Sequence, residues 1–177
     1  MNENEYEVRL LDINKEEFIE KIEKCGAKYV DTYNQKRFVY DFKPKADNKW
    51  IRLRNNGKKT TLTIKEVVDY SIGGTKELEI EVSDMEKTDL ILQELGYSKR
   101  SIQENVRERY ELNDIEIDID TWPHLNTFAE FEGNSEEAVL NVLELLNVDK
   151  SSITTMDVQS IYLSEGYTKE DLNNLKF

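Results

Sequence analysis

The sequence predicts an α+β domain built on an antiparallel barrel or sandwich of about eight strands, with helices packed against it. The 177 residues suffice for one domain with a substantial core. Short stretches in which charged and apolar residues alternate recur along the chain, as in half-buried strands. At least three amphipathic helices also need an apolar surface to cover. If they cover the strands from outside, the charged strand faces line a barrel with room for one small ligand.

The strands are predicted from period-two alternation and from the turns between them. The first, Glu5 to Leu10, alternates charged and apolar residues, and Asn55-Asn56-Gly57 is a strong hairpin signal between two later strands. The predicted strands span residues 5–10, 28–42 (one long strand or a bent pair), 50–54, 60–67, 77–82, 104–112, 115–121 and 127–132.

Three helices are predicted from apolar residues at helical spacing and from capping residues. The first begins after Asn14 and ends at Cys25-Gly26, and the second is capped by Ser83 and ends at Gly96. The third begins at Asn134 or Ser135 and runs through Leu146. Residues 156–177 are too apolar for a disordered extension and are expected to form a C-terminal helical tail. We therefore expect residues 1–177 to form a single domain.

Composition excludes several classes of function. The net charge of -13 argues against sequence-independent nucleic-acid binding, which needs a broad basic surface. Cys25 and His124 are the sole cysteine and histidine, which argues against disulfides, thiolate metal clusters, histidine zinc sites and His-dependent triads. No Walker-type glycine loop or GxGxxG is present. Without a membrane-length apolar run or a signal peptide at Met1–Glu5, a cytoplasmic protein without membrane contact is expected.

The charges are sorted by strand. On each predicted strand the charged residues share one face, and several strands carry like charges two residues apart. These sets are Glu5, Glu7 and Arg9; Arg52 and Arg54; Lys65; Glu77, Glu79 and Glu81; Arg107 and Arg109; Glu116, Asp118 and Asp120; and Glu130 and Glu132. Solvated outer faces are the simple alternative. However, like charges on one face repel unless a ligand or a neighbouring strand compensates. Arginines and carboxylates inside one barrel would suit a polyanion with divalent cations.

The ordered charge pattern resembles the CYTH superfamily, the triphosphate tunnel metalloenzymes. Glu5-Tyr6-Glu7-Val8-Arg9 is similar to its N-terminal ExExK signature, although Arg9 stands in place of the usual lysine. The later marks are Arg52-Leu53-Arg54, Leu62-Thr63-Ile64-Lys65, Glu77 to Glu81, Arg107-Glu108-Arg109-Tyr110, Ile119-Asp120 and Phe128-Ala129-Glu130-Phe131-Glu132-Gly133. The resemblance spans roughly residues 5 to 165 and implies a closed eight-stranded antiparallel barrel, or tunnel, with helices outside.

The resemblance also implies roles for individual residues. Phosphate-binding roles fall on Arg9, Arg52, Arg54, Lys65, Arg107 and Arg109, and metal-binding roles for Mg²⁺ or Mn²⁺ fall on Glu5, Glu7, Asp120, Glu130 and Glu132. Arg9 and Glu79 are the catalytic candidates, and Glu79 is the less certain metal or water-positioning residue because Glu77 and Glu81 share its face.

Two reactions fit such a tunnel. Hydrolysis of a small-molecule triphosphate (tripolyphosphate, a nucleoside triphosphate or thiamine triphosphate) is the preferred prediction, because no adenine-recognising pocket is evident. A class IV adenylyl cyclase, which makes cyclic AMP and pyrophosphate from ATP, is the alternative. A non-catalytic polyphosphate- or nucleotide-binding module is the second alternative. The sequence leaves open whether the protein is a monomer or a homodimer.

Overall fold

The computed structural model describes residues 3–177; Met1 and Asn2, the start of the acidic N-terminus, lie outside this range. The strands are β1 (Glu3–Leu10), β2 (Lys28–Asp41), β3 (Lys49–Asn55), β4 (Thr60–Val67), β5 (Thr75–Val82), β6 (Lys99–Leu112), β7 (Ile115–Thr121), β8 (Phe128–Gly133), β9 (Ile153–Thr154) and β10 (Asn174–Leu175). The α-helices are α1 (Lys15–Lys24), α2 (Met85–Glu94), α3 (Glu136–Leu145) and α4 (Val158–Ser164).

Eight long strands close into an antiparallel barrel, as predicted. Around the barrel the order is β2-β3-β4-β5-β1-β8-β7-β6, and β6 pairs with both β7 and β2 to complete the ring. In this order β1 lies four strands from β2 in either direction, and β8 lies four strands from β3. These two strand pairs therefore form opposite walls of the lumen.

Most apolar strand faces point outward and are covered by helices, as predicted from the alternation. One core cluster joins α1 and α3 to the outer faces of β1, β7 and β8, with Phe18, Val8, Ile117, Phe131 and Val139 among its members. A second cluster packs α2 on β2 and β3, whereas Leu78 and Ile80 on β5 remain exposed. The charged residues at alternate positions point to the opposite face, into the lumen.

Several element boundaries differ from the predictions. Asp84, not Ser83, caps α2, because its side chain accepts a hydrogen bond from the Lys87 amide. The strand predicted from residue 104 begins at Lys99, since β2 continues as its partner past that point. Segment 28–42, predicted as one long strand or a bent pair, forms the single strand β2, whose pairing with β6 has register shifts between Tyr29 and Asp31 and between Val39 and Tyr40.

The segment after β9 packs across one end of the barrel. In α4, Tyr162 is fully buried, packs edge-on against Trp122 with ring centroids 6.4 Å apart, and donates a hydrogen bond to the Pro123 carbonyl at 2.6 Å. β10 then adds to β6 in parallel. Residues 155 and 157–159 line the cavity inside the barrel. The segment thus forms part of the wall of the lumen.

None of the helices between residues 3 and 177 is both long enough and apolar enough to span a membrane.

Candidate functional site

The barrel encloses a cavity of about 580 Å³ lined mainly by charged and polar side chains. The chain brings to it nearly all of the residues singled out from the sequence. They are Glu5, Glu7, Arg9, Arg52, Arg54, Lys65, Glu79, Arg107, Arg109, Glu130 and Glu132. Asp120 does not line the cavity but lies behind it, fully buried against Arg107. Pairing of eight strands from distant parts of the chain is what assembles this site.

One wall of the lumen, here called the acidic wall, consists of Glu5 and Glu7 on β1 and Glu132 on β8. Glu7 and Glu132 are direct cross-strand partners, and Glu116 on β7 is the next residue in the same row. Carboxylates directly opposite one another repel. Glu7 is paired with Arg9 and Glu116 with Arg109, whereas Glu132 makes no ion pair with any described residue.

Two carboxylates of the acidic wall hold their protons more tightly than free carboxylates do. Burial, reinforced by Glu130 and Glu7, raises the pKa of Glu132 from 4.5 to about 7. Burial also raises the pKa of Glu5 to about 9; Lys65 opposes the shift, and Glu77 adds to it. At both residues burial outweighs the positive charge of Lys65.

Arg9 joins the acidic wall to its neighbours. Its Nη2 lies 3.1 Å from a Glu7 carboxylate oxygen and 2.5 Å from one of Glu130, while Nη1 donates to the Met156 carbonyl at 2.8 Å. Against the effect of burial, Glu130 and Glu7 raise the pKa of Arg9, and Arg9 and Arg107 lower that of Glu130. Arg9 is therefore a permanently charged residue with most of its donors engaged.

Arg107 and Arg109 form a neutralised network on β6 and β7. Arg107 contacts Asp118 and Asp120 at 2.6 Å each and Glu130 at 3.0 Å. Arg109 donates twice to Asp118 at 2.7 Å. Although burial opposes it, these carboxylates hold the pKa of Arg107 well above its usual range. Buried carboxylates thus already compensate the charge of Arg107. Arg107 therefore differs from an unpaired arginine whose charge is available to bind a phosphate.

The opposite wall, here called the basic wall, consists of Arg37 on β2 and Arg52 and Arg54 on β3. Arg52 contacts Glu77 at 2.7 Å and Glu79 at 3.2 Å, whereas the ion pair of Arg54 with Glu79 is longer, at 3.6 Å. Burial and the nearby Arg52 and Arg107 lower the pKa of Arg54 to about 10. Arg54 is therefore less compensated by negative charge than Arg52.

Lys65 lies between the two walls. Its Nζ contacts Glu5 at 2.8 Å and Glu77 at 3.4 Å. Glu79 accepts hydrogen bonds from Thr63 at 2.7 Å and from Arg52 at 3.2 Å, both on Oε2. The second carboxylate oxygen of Glu79 remains available toward the lumen.

Arg37 is a lumen residue that sequence reasoning missed. It is buried, it is the cross-strand partner of Arg54, and its guanidinium lies over the Trp122 ring at 4.6 Å. On its strand face the neighbours are Tyr33, Gln35 and Val39, so no pair of like charges marked this position. The alternation of residues along β2 could have identified Arg37 if the inward face of that long strand had been assigned.

The acidic wall fits a divalent cation by its chemistry. Carboxylate oxygens suit Mg²⁺ and Mn²⁺, and the raised pKa of Glu132 marks a place where positive charge is missing. Within residues 3–177, no three carboxylates are arranged to hold an ion by themselves. Mg²⁺ commonly binds one or two carboxylates together with substrate phosphates and water, so this arrangement suits a cation that arrives with its substrate.

Fold and lumen together define a class of protein in which a closed antiparallel barrel surrounds a cavity of opposed basic and acidic walls. The CYTH domain family matches residues 3–155, and the chain belongs to this family. A proposed adenylate cyclase of Methanocaldococcus jannaschii is 27% identical over 168 residues, covering 86% of this chain and 94% of that protein.

Solved structures share the fold. The protein PH1012 of Pyrococcus horikoshii OT3 is 25% identical, with a TM-score of 0.75 over 86% of this chain and 96% of that one. A proposed adenylyl cyclase from Hippeastrum, described as revealing a dominant triphosphatase activity, is 16% identical, with a TM-score of 0.62 over 95% of this chain and 98% of that one. At these identities the solved structures support the fold. The names and descriptions of the similar proteins include both adenylate cyclase and triphosphatase.

Proposed function

We propose that this protein hydrolyses a small-molecule triphosphate in the barrel lumen with the help of Mg²⁺ or Mn²⁺. The observation that carries the proposal is that basic and acidic residues without a close ion-pair partner lie on opposite sides of one cavity. On one side Arg37 forms no ion pair with a described residue and Arg54 has a single carboxylate at 3.6 Å, and on the other Glu132 forms no ion pair with a described residue. A polyphosphate bound with a divalent cation supplies both missing charges at once.

Each wall has a defined task in this proposal. Arg52 and Arg54 bind the phosphate oxygens, supported by Lys65, and hold the chain of phosphates in one orientation. Arg107 and Arg109, held by buried carboxylates, contribute a fixed positive field. Glu5, Glu7, Glu130 and Glu132, with Asp120 behind them, are the proposed metal-binding carboxylates. When bound, the cation would neutralise charge on the phosphate oxygens as the reaction proceeds.

Arg9 and Glu79 are the proposed catalytic residues. Glu79 holds Thr63, Arg52 and Arg54 through Oε2 alone, so its Oε1 is free to accept a hydrogen bond from the attacking water. Arg9 is fixed between Glu7 and Glu130 and stays charged, so it acts by stabilising negative charge and not as a proton donor. Positioning and electrostatic stabilisation are the main sources of rate enhancement in phosphoryl transfer.

Formation of cyclic AMP is the second candidate, supported by the name of the Methanocaldococcus jannaschii relative. That reaction needs a site for adenine. Trp122 is a poor candidate, because Arg37 covers one ring face, Tyr162 packs against it, and it is 2% exposed. Trp50 lines the cavity and remains available for stacking. The proposal favours hydrolysis because a single partly buried tryptophan makes a limited base-binding site.

Product analysis tests the proposal. The purified protein is incubated with tripolyphosphate, ATP or thiamine triphosphate in Mg²⁺ or Mn²⁺, and phosphate, pyrophosphate and cyclic AMP are quantified. Release of phosphate from at least one triphosphate, abolished by EDTA, is the expected result. Cyclic AMP with pyrophosphate as the main products from ATP would replace hydrolysis with cyclisation. Tight binding without any product would identify the binding module.

A further inference from the structure

Arg37 is a buried, positively charged residue of the lumen that lacks a negatively charged partner among the described residues. Its exposure is 7%, and Nη2 donates to the Gln35 side chain and to Asn105 Oδ1, the latter at 2.6 Å. Both acceptors are neutral amide oxygens, and no carboxylate of a described residue forms an ion pair with Arg37. Its Nε is buried and has no hydrogen-bond partner. The side chain is thus held in place without being neutralised.

The surroundings of Arg37 add positive charge. Arg54 is its cross-strand partner, and burial together with Arg54 and Arg52 lowers the pKa of Arg37 well below its usual range. An unpaired buried charge is strongly unfavourable, and like charges directly opposite on neighbouring strands add to the effect. A fold that keeps such a group must recover the free energy from a ligand or from another part of the structure.

Two features show that Arg37 is positioned and not left over. Trp122 lies against its guanidinium at 4.6 Å, and Tyr162 of α4 packs edge-on against the indole. Asn105, which accepts from Arg37, donates from its own Nδ2 to Asp120 at 3.0 Å, which links Arg37 to the Arg107 network. These contacts orient the guanidinium through Nη2, and no described residue accepts a hydrogen bond from Nε or Nη1.

We infer that Arg37 is a further substrate-binding residue, which with Arg54 forms an anion subsite on the basic wall for one phosphate of the triphosphate. The inference rests on the proposed function for the nature of the ligand. A carboxylate side chain would neutralise Arg37 permanently, whereas neutral amide partners orient it and keep its charge for a phosphate. Arg37 is assigned a binding role and takes no part in bond breaking.

Binding measured without turnover tests the inference. The dissociation constant for tripolyphosphate is determined by calorimetry in EDTA for the wild type, Arg37→Gln and the matched control Lys36→Gln. Lys36 is the preceding residue on the outer face of β2, where its ammonium lies 5.4 Å from the Phe38 ring centroid, so the control removes the same charge outside the lumen. We expect at least tenfold weaker binding in Arg37→Gln and a change below twofold in Lys36→Gln.

Thermal unfolding separates a binding role from a structural one. In phosphate-free buffer Arg37→Gln should melt at the same temperature as the wild type or higher, because repulsion with Arg54 is removed, and tripolyphosphate should stabilise it less. A clear loss of stability without ligand, or wild-type affinity in Arg37→Gln, would overturn the inference. If Arg37→Gln does not fold, Arg37→Lys decides: at least threefold weaker binding supports the inference, and unchanged binding refutes it.

The outcome is separable from that of the proposed function. A wild type that binds tripolyphosphate and hydrolyses no triphosphate refutes hydrolysis, and the dissociation constants still decide the role of Arg37. A wild type that does not bind tripolyphosphate, ATP or thiamine triphosphate refutes the anion subsite itself.

Discussion

The acidic and basic walls of the lumen and the network on β6 and β7 beside them all consist of charged residues on strands. They differ in how far ion pairs within the protein compensate those charges. Arg107 is surrounded by Asp118, Asp120 and Glu130 within 3.0 Å, so its charge is compensated inside the protein. Arg54 on the basic wall has a single carboxylate at 3.6 Å, and Glu132 on the acidic wall has no ion pair with a described residue. The same residue types are thus compensated within the protein in one place and have few ion-pair partners in another.

This difference separates residues that a charge pattern treats alike. Arg52, Arg54, Arg107 and Arg109 all lie two residues from another arginine on a strand. Only the contacts show that the charge of Arg107 is satisfied and that of Arg54 is not. Removing a group from the compensated network leaves buried charges unpaired, whereas removing Arg54 or Glu132 from the walls relieves repulsion. The variants below exploit that contrast.

The largest expected effect is on turnover in Glu132→Gln. This change removes a proposed metal ligand while keeping the shape of the side chain, and we expect metal-dependent hydrolysis to fall at least 100-fold. Glu137→Gln, an exposed change on α3, is the matched control and should retain full activity. Near-normal rates for Glu132→Gln at saturating Mg²⁺ would remove Glu132 from the metal site.

The next effect is on substrate affinity in Arg54→Ala. A partly desolvated charge pair is worth a few kcal/mol at about 4 Å, so we expect the dissociation constant for tripolyphosphate to rise at least tenfold. The fold should persist, because Arg54 makes only one long ion pair within the protein, and Lys76→Ala on the outer face should bind normally.

By contrast, Arg107→Ala should destabilise the fold itself. Equal melting temperatures for Arg107→Ala and Arg54→Ala would contradict the distinction between network and wall.

A smaller effect concerns pH and the metal-free protein. Because the pKa of Glu132 is raised from 4.5 to about 7, the folded state binds more protons than the unfolded state in this window, and stability must fall as pH rises through it. One pKa unit corresponds to about 1.4 kcal/mol, and 1 kcal/mol moves the melting temperature of a chain this size by about 2–4 °C. We expect a fall of several degrees between about pH 5 and 8.

Differential scanning calorimetry in EDTA measures that fall. It should be smaller in Glu132→Gln, whose amide does not titrate, and Mg²⁺ with tripolyphosphate should stabilise the wild type more at pH 8 than at pH 5. A pH profile identical in wild type and Glu132→Gln would assign the dependence to other groups.

The smallest effect is expected from Trp50→Ala with tripolyphosphate, which has no base to stack. Turnover of that substrate should change less than twofold. If the natural substrate is a nucleotide, loss of stacking should weaken its binding by about 1–3 kcal/mol. Comparing the two substrates in one variant therefore distinguishes residues near the basic wall that bind phosphate from residues that bind a base.

Much of the architecture could be predicted from the chain because alternation reports directly on strand faces. Ile115, Ile117 and Ile119 alternate with Glu116, Asp118 and Asp120, and the structure places the isoleucines under helices. The Asn55-Asn56-Gly57 hairpin also formed, with Gly57 at a φ of 87°, where a side chain would be strained. Helix ends were less certain, because Ser83 and Asp84 are both good capping residues and only the geometry selects Asp84.

The candidate site was predictable where charge recurred on one strand face and not where it stood alone. Arg52 and Arg54 were visible as a pair, whereas Arg37 is flanked on its face by neutral residues and becomes notable only beside Arg54 and Trp122. Arg54 lies on the next strand, β3, whereas Trp122 directly follows β7 and is distant in the chain. A single sequence carries no signal for such cross-strand contacts beyond the general parity of each strand.

By itself the sequence determined which residues share one face of a strand, because the period of two along a strand is a local property of the backbone. It also determined the excess of carboxylates and the sorting of charge by strand. The tertiary structure decided which charges compensate one another. Pairing of β6 with β7 joins Arg107 to Asp118 and Asp120, whereas ring closure through the pairing of β6 with β2 sets Arg37 beside Asn105 and opposite the acidic wall. The strength of an ion pair depends on distance and burial, which only the assembled barrel sets.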